Sequence, residues 1–142
     1  VPTRVRHDDP SVTTVDGTII HWGATARPAI ELPAVDGVTP GTVIRIVLGG
    51  TTSFTRPRRR DARLLITGAY DTPGQARGEG DGPNRVARWV DDRGLSRGRT
   101  VHIDVVAPTY RIGVRAPGET AVYEGSRPGT ALSEIARDLE DG

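Results

Sequence analysis

Five arginines crowd one short stretch, Arg56-Pro57-Arg58-Arg59-Arg60-Asp61-Ala62-Arg63. A guanidinium is a planar fork of N–H donors that matches phosphate oxygens two at a time. Arg56, Arg58, Arg59, Arg60 and Arg63 are therefore the side chains best suited to contact a polyanion. If the chain runs extended here, Arg58 and Arg60 project to one face and Arg59 to the other. Such contacts grip phosphates and fix register, but they read no bases. The competing reading is a solvated loop whose arginines pair with Asp61 or with acids elsewhere. Arg4, Arg6 and His7 would extend the patch if the N-terminal stretch reached it, and otherwise belong to a flexible arm.

Composition bears on this choice without deciding it. The 19 Lys-plus-Arg positions are all arginine, against 18 acids, for a net charge of +1. Codon bias in a GC-rich genome gives the same skew with no functional cause. The absence of Lys, Cys and Met beside many Asp, Glu, Gly, Thr and Val also suggests a salt-loving source, where near-neutral charge would be unusual. At molar salt the screening length is about 3 Å, so only direct contacts hold an anion, and arginine makes those best.

Other chemistry is thin. With no cysteine, disulfides, thiolate metal sites and a cysteine nucleophile are excluded. His7, His21 and His102 are too scattered for a zinc site, and no metal or other cofactor is expected. His102 and Asp104 share a strand face and would form a His–Asp pair, yet no serine is placed as its nucleophile. Gly78-Glu79-Gly80-Asp81-Gly82 lacks the lysine and hydroxyl of a phosphate loop and reads as a surface loop. Trp22, Phe54, Trp89, Tyr70, Tyr110 and Tyr123 are too sparse to form stacking platforms and are expected in or beside the core.

The elements that must position these residues are mostly strands. With 142 residues, the chain is sized for one domain, 1–142. Residues 1–10 read as an extended arm. Strands are expected over Val12–Trp22, Arg27–Leu32, Thr42–Leu48, Thr51–Arg56, Leu64–Ile66, Thr100–Val106, Tyr110–Val114 and Thr120–Tyr123, with Asp16-Gly17 as a bulge or turn in the first. The near-continuous apolar run of Thr42–Leu48 suits a strand covered on both faces. Residues 71–82 form a long polar loop. Pro83–Arg93 carries Val86, Trp89 and Val90 at helical spacing and ends at Gly94. A second helix, acidic on its outer face, is expected over 131–141, capped by Thr130. The fold class is mainly β: a small closed or partly open barrel over 11–125, with two short helices.

One unit recurs. Gly37-Val-Thr-Pro-Gly-Thr-Val-Ile-Arg-Ile-Val-Leu48 matches Gly94-Leu-Ser-Arg-Gly-Arg-Thr-Val-His-Ile-Asp-Val105. Glycine falls on glycine at 37/94 and 41/98, hydroxyl on hydroxyl at 39/96, and apolar residues align at 38/95, 44/101, 46/103 and 48/105. These glycines suit positions of positive φ or close strand crossing.

The span Arg27–Gly50 resembles the AbrB/SpoVT type of transition-state regulator: a strand ending in Leu32-Pro33, then Gly37-Val-Thr-Pro-Gly41, then an apolar strand with one charge inside. Two copies in one chain look like a double-psi or cradle-loop barrel, in which two halves interlock about a pseudo-two-fold axis. Over its length the chain is also similar to a family of uncharacterised small proteins from haloarchaea. The similarity lies in Asp9-Pro10-Ser11-Val12, Gly68-Ala-Tyr-Asp71, Asn84–Val90 and Arg115-Ala-Pro-Gly-Glu119, and it implies a cytoplasmic address and no mechanism.

The N-terminus has no apolar core, and no run approaches the roughly 20 residues that span a bilayer. The expectation is a cytoplasmic, membrane-free, non-enzymatic module that contacts DNA or RNA phosphates, ribosomal RNA included. A protein-interaction module using helix 131–141 or a barrel groove is the alternative. An enzyme working under the 71–82 loop is the third.

Overall fold

The strand expected over Thr42–Leu48 forms in the computed structural model as β4, Ile44–Leu48. The structure describes residues 3–80, 82–107 and 111–125. The other strands are β1 (Thr3–Arg6), β2 (Thr13–Trp22), β3 (Arg27–Pro33), β5 (Thr51–Thr55), β6 (Arg58–Arg60), β7 (Arg63–Ile66), β8 (Thr100–Ala107), β9 (Arg111–Arg115) and β10 (Val122–Gly125). Two helices join them, α1 (Pro73–Ala76) and α2 (Arg85–Asp92). The helix expected over 131–141 lies outside the described residues. Among the described residues, no helix is long and apolar enough to cross a membrane.

Eight strands make one sheet in the order β5-β4-β9-β8-β2-β3-β7-β6, and β1 pairs with β10 in a second, two-stranded sheet. The large sheet curls strongly into a half-barrel and stays open rather than closed. Its curl is visible in the helix packing. Helix α2 packs on both β3 and β4, which stand four places apart in the sheet. One short helix can touch both only if the sheet wraps around it. The two ends also approach each other: Phe54 of β5 exchanges backbone hydrogen bonds of 2.7 and 2.8 Å with Tyr70, a few residues beyond β7.

The concave side holds the core. Ile30, Leu32, Ile44, Ile46, Leu64, Ile66, Val101, Ile103, Ile112 and Val114 are buried there with Val86, Trp89 and Val90 of α2. Burying each such side chain contributes roughly 1.5–3 kcal/mol. The stripe on α2 is the one its spacing predicts. The helix starts later than Pro83 because Asn84 caps it, its side-chain oxygen accepting the Val86 N–H at 3.0 Å. It ends at Gly94, φ 61, where the Gly94 and Leu95 N–H groups close on the carbonyls of Asp91 and Val90, both at 3.0 Å.

Several expectations need correcting. Strand β4 buries one face, through Ile44, Ile46 and Leu48, while Arg45 and Val47 are half-buried. Asp16-Gly17 makes no turn; β2 runs unbroken against β8 there. The 71–82 loop contains α1, with Thr72 accepting the Gln75 N–H at 3.1 Å. The N-terminal arm is extended as expected, but from Thr3 to Arg6 it is a paired strand: β1 is fixed by β10.

The two glycine turns behave alike. Gly37, Gly41, Gly94 and Gly98 all have positive φ, at 86°, 86°, 61° and 90°. Residues with a Cβ rarely adopt that conformation, which explains the repeated glycine. Thr39 O accepts from Thr42 N at 3.2 Å, and Ser96 O from Arg99 N at 3.0 Å. Gly41 N donates to Pro57 O, just before β6, at 2.8 Å; Gly98 N donates to Ile19 O, in β2, also at 2.8 Å. Pairing β2–β3 corresponds to β6–β7, and β4–β5 to β8–β9. The parallel pair β4–β9 has no counterpart, since β8 pairs with β2 and β5 is an edge.

Candidate nucleic-acid interface

The arginine cluster is built by the last hairpin of the large sheet. Arg60-Asp61-Ala62-Arg63 reverses the chain in two residues, with Asp61 at φ 54, a conformation aspartate tolerates better than most residues. The hairpin sets β6 on the edge of the sheet, in the register Arg58↔Leu65, Arg59↔Leu64 and Arg60↔Arg63. β7 pairs in turn with β3, Leu65 opposite Glu31. Cross-strand partners share a face, so Arg58, Arg60, Arg63 and Glu31 lie together on one face and Arg59 on the other.

Burial and pairing then divide the five. Arg58, Arg59, Arg60 and Arg63 are exposed and Arg56 is half-buried. Arg63 is ion-paired with Glu31 at 3.1 Å, and Arg60 approaches the same carboxylate at 3.9 Å. Arg56, Arg58 and Arg59 have no acidic partner among the described residues. Those three line a cleft of about 420 Å³ with Trp22, Pro40, Gly41 and Pro57. The bond from Gly41 to the Pro57 carbonyl joins the two walls.

The cleft continues. Trp22 also lines a hollow of about 250 Å³ with Arg27 and Tyr70. Arg56 and Arg58 line a smaller one, about 110 Å³, that again includes Tyr70. These adjoining hollows, together the groove, carry Arg27, Arg56, Arg58 and Arg59 beside two half-exposed aromatic rings. Trp22 and Tyr70 are the residues that sequence reasoning missed. Their positions, at the end of β2 and in the bridge to Phe54, are 48 residues apart and depend on the curl of the sheet. Asn84 fixes the floor: its amide donates to Thr67 O at 3.1 Å and its oxygen accepts from Ala69 N at 3.3 Å.

The other sequence candidates lie elsewhere. His7 accepts the Ala121 N–H on Nδ1 at 3.1 Å, and Arg6 pairs with Asp8 at 3.3 Å, both beside the small β1–β10 sheet. The His102–Asp104 pair does not form. His102 lies 3.1 Å from Asp16, directly across β2. Asp104 is fully buried and accepts from Arg115 Nε at 2.6 Å, Arg115 Nη2 at 3.0 Å, Tyr123 Oη at 2.5 Å and Thr14 Oγ1 at 2.7 Å. Burial pushes this carboxyl up, but the bonds from Arg115, Tyr123 and Thr14 outweigh it and hold Asp104 below the usual carboxylate range. The same burial, and then Asp104 itself, push the Tyr123 phenol well above its ordinary value. Asp104 accepts all four bonds from donors on β2, β9 and β10, so this is a structural knot on the convex face. Among the described residues, no group of three or more His, Cys, Asp or Glu is arranged to hold a metal.

Fold and groove define a small, mainly β protein: a curled half-barrel with an arginine- and aromatic-lined groove along one end. The chain belongs to DUF7112, a family of unknown function, whose model matches residues 1–139. No curated protein and no solved structure matches the chain.

Proposed function

We propose that this protein is a non-enzymatic nucleic-acid-binding module whose groove takes single-stranded DNA or RNA. Phosphates sit on Arg56, Arg58 and Arg59, and bases rest against Trp22 and Tyr70. The observation that carries this is the convergence of three arginines without acidic partners on the cleft that Trp22 lines. An arginine kept for solubility or for a structural ion pair has no need of a concave site shared with a half-exposed indole. Backbone phosphates supply sequence-independent affinity, and base–aromatic stacking adds about 1–3 kcal/mol per base. Arg60 and Arg63 contribute less, because Glu31 pairs closely with Arg63 and stands 3.9 Å from Arg60, offsetting their charge.

The same proposal includes the architecture. The matching turns, and the reciprocal bonds from Gly41 to Pro57 and from Gly98 to Ile19, support two interlocked halves of the double-psi or cradle-loop kind. In that view β2 takes one edge of β8, whereas the corresponding edge of β4 is taken by β9 instead of β6, so β6 is left as a free edge of the sheet. The groove lies along that free edge, beside the Gly41–Pro57 bond.

The test is fluorescence anisotropy with a labelled mixed-sequence single strand. The R56Q/R58Q/R59Q variant is expected to lose most of the affinity, W22A to lose about tenfold or more, and R60Q/R63Q to change little. Equal binding by the triple variant and the unsubstituted protein would refute the proposal.

A further inference from the structure

A second cavity, about 310 Å³, lies between α2 and the β4–β5 hairpin and shares no lining residue with the groove. We propose that it binds the phosphate group of a small phosphate monoester.

The lining is rich in donors. Arg85, Arg88 and Trp89 fall at i, i+3 and i+4 on one face of α2, and Arg93 follows the helix. Opposite them stands Ser53 of β5. Ser53 is 0% exposed and Trp89 5% exposed. Yet Ser53 Oγ and Trp89 Nε1 have no hydrogen-bond partner among the described residues. An indole N–H only donates, and a guanidinium only donates. Buried donors left unpaired are uncommon in folded proteins and call for an acceptor. Two lining residues that each carry a buried polar atom without a partner among the described residues, beside three arginines and a single carboxylate, Asp92, point to an acceptor-rich, negatively charged occupant.

The arginines are also positioned in advance. Asp71 holds Arg85 through two hydrogen bonds of 3.0 and 2.9 Å, and Glu119 holds Arg93 through Nε at 2.8 Å. Neither acid lines the cavity. Glu119 takes Arg93 through Nε, not through the terminal amino groups, and Nη2 lies so close to Gly49 that a Cβ there would stand 2.9 Å away. Arg88 is only 3.9 Å from Asp92, beyond hydrogen-bond range, and its side chain is 70% exposed. Of the three arginines it is the least tightly held and the one able to close over a bound phosphate. A cavity near the lower end of the usual small-ligand range, about 300 Å³, suits a monoester better than a polymer.

The experiment uses the Trp22→Phe variant, in which Trp89 is the remaining tryptophan. It is titrated with inorganic phosphate, ribose 5-phosphate and ribose while indole fluorescence is read. Calorimetry on the unsubstituted protein repeats the series without relying on an optical signal. The expected result is saturable binding of phosphate and ribose 5-phosphate but not of ribose, weakened about tenfold or more by Arg88→Gln and weakened also by Ser53→Ala. Three results would overturn the proposal: no saturable binding by either method, binding unchanged in Arg88→Gln, or binding lost only in R56Q/R58Q/R59Q.

Discussion

Replacing Asp104 by Asn tests the convex-face knot with almost no change of shape. Asp104 Oδ2 receives Arg115 Nε at 2.6 Å and Tyr123 Oη at 2.5 Å, while Oδ1 receives Arg115 Nη2 and Thr14 Oγ1. An asparagine keeps one oxygen and turns N–H donors toward the other pair. The Arg115 guanidinium, with its side chain only 10% exposed, then loses its counter-charge. Breaking a buried pair from one side costs about 3–5 kcal/mol. For a domain of this size about 1 kcal/mol moves Tm by roughly 3–5 °C, so D104N should melt about 10–20 °C lower. The pH dependence carries the sign. The Asp104 pKa is depressed in the folded state, so its contribution is present above the unfolded value near 4 and is lost as pH falls through the folded value. Urea midpoints measured from pH 7 downward should therefore fall steeply below about pH 4 for the unsubstituted protein. D104N should start lower and fall less. A D104N unfolding free energy within about 0.5 kcal/mol of the parent, or an unchanged acid limb, would refute this account of the knot.

Three further outcomes follow from the same structure. A Cβ on Gly113 would collide with the Tyr123 ring, so Gly113→Ala should cost about 1–3 kcal/mol in urea unfolding. Most of that cost should vanish in a Tyr123→Ala background, and additive losses would contradict the packing. Gly41→Ala and Gly98→Ala, each at strongly positive φ with open space around the Cβ, should each cost about 1–2 kcal/mol, alike to within error. A large difference between them would speak against equivalent turns. Above about pH 10 the raised phenol of Tyr123 adds an alkaline loss of stability, absent in Tyr123→Phe, because the unfolded chain ionises first.

What could be read in the sequence was local. The glycines of the two turns, the existence of strands β4 and β8 and the stripe on α2 each follow from backbone geometry or apolar content within a dozen residues, although the run in β4 suggests two covered faces where one is buried. What escaped depended on partners far along the chain. Thr3–Arg6 has no strand pattern of its own and is extended because β10 pairs with it. Arg58–Arg60 has poor strand propensity, and its pairing with β7 makes it a strand. Glu31 lies 32 residues from Arg63, so the division of the cluster into held and unpaired arginines had no local signature. The His102–Asp104 spacing did place both on one face, as expected, but Asp16 and Arg115 are closer partners for each. Trp22 and Tyr70 looked too sparse to matter because their meeting is a product of sheet curvature. An edge strand of arginines also discourages pairing with other edges, so one short sequence serves solubility as well as contact.

The claim on which the function depends is that three arginines of the open groove neutralise phosphates. The most direct measurement is the salt dependence of single-strand binding, log K against log salt. Three contacts at about 0.7 each predict a slope near −2, equivalent to about a 20-fold loss between 50 and 200 mM salt. The R56Q/R58Q/R59Q variant should bring the slope close to zero, and R60Q/R63Q should leave it nearly unchanged. A slope that survives the triple substitution would contradict the account.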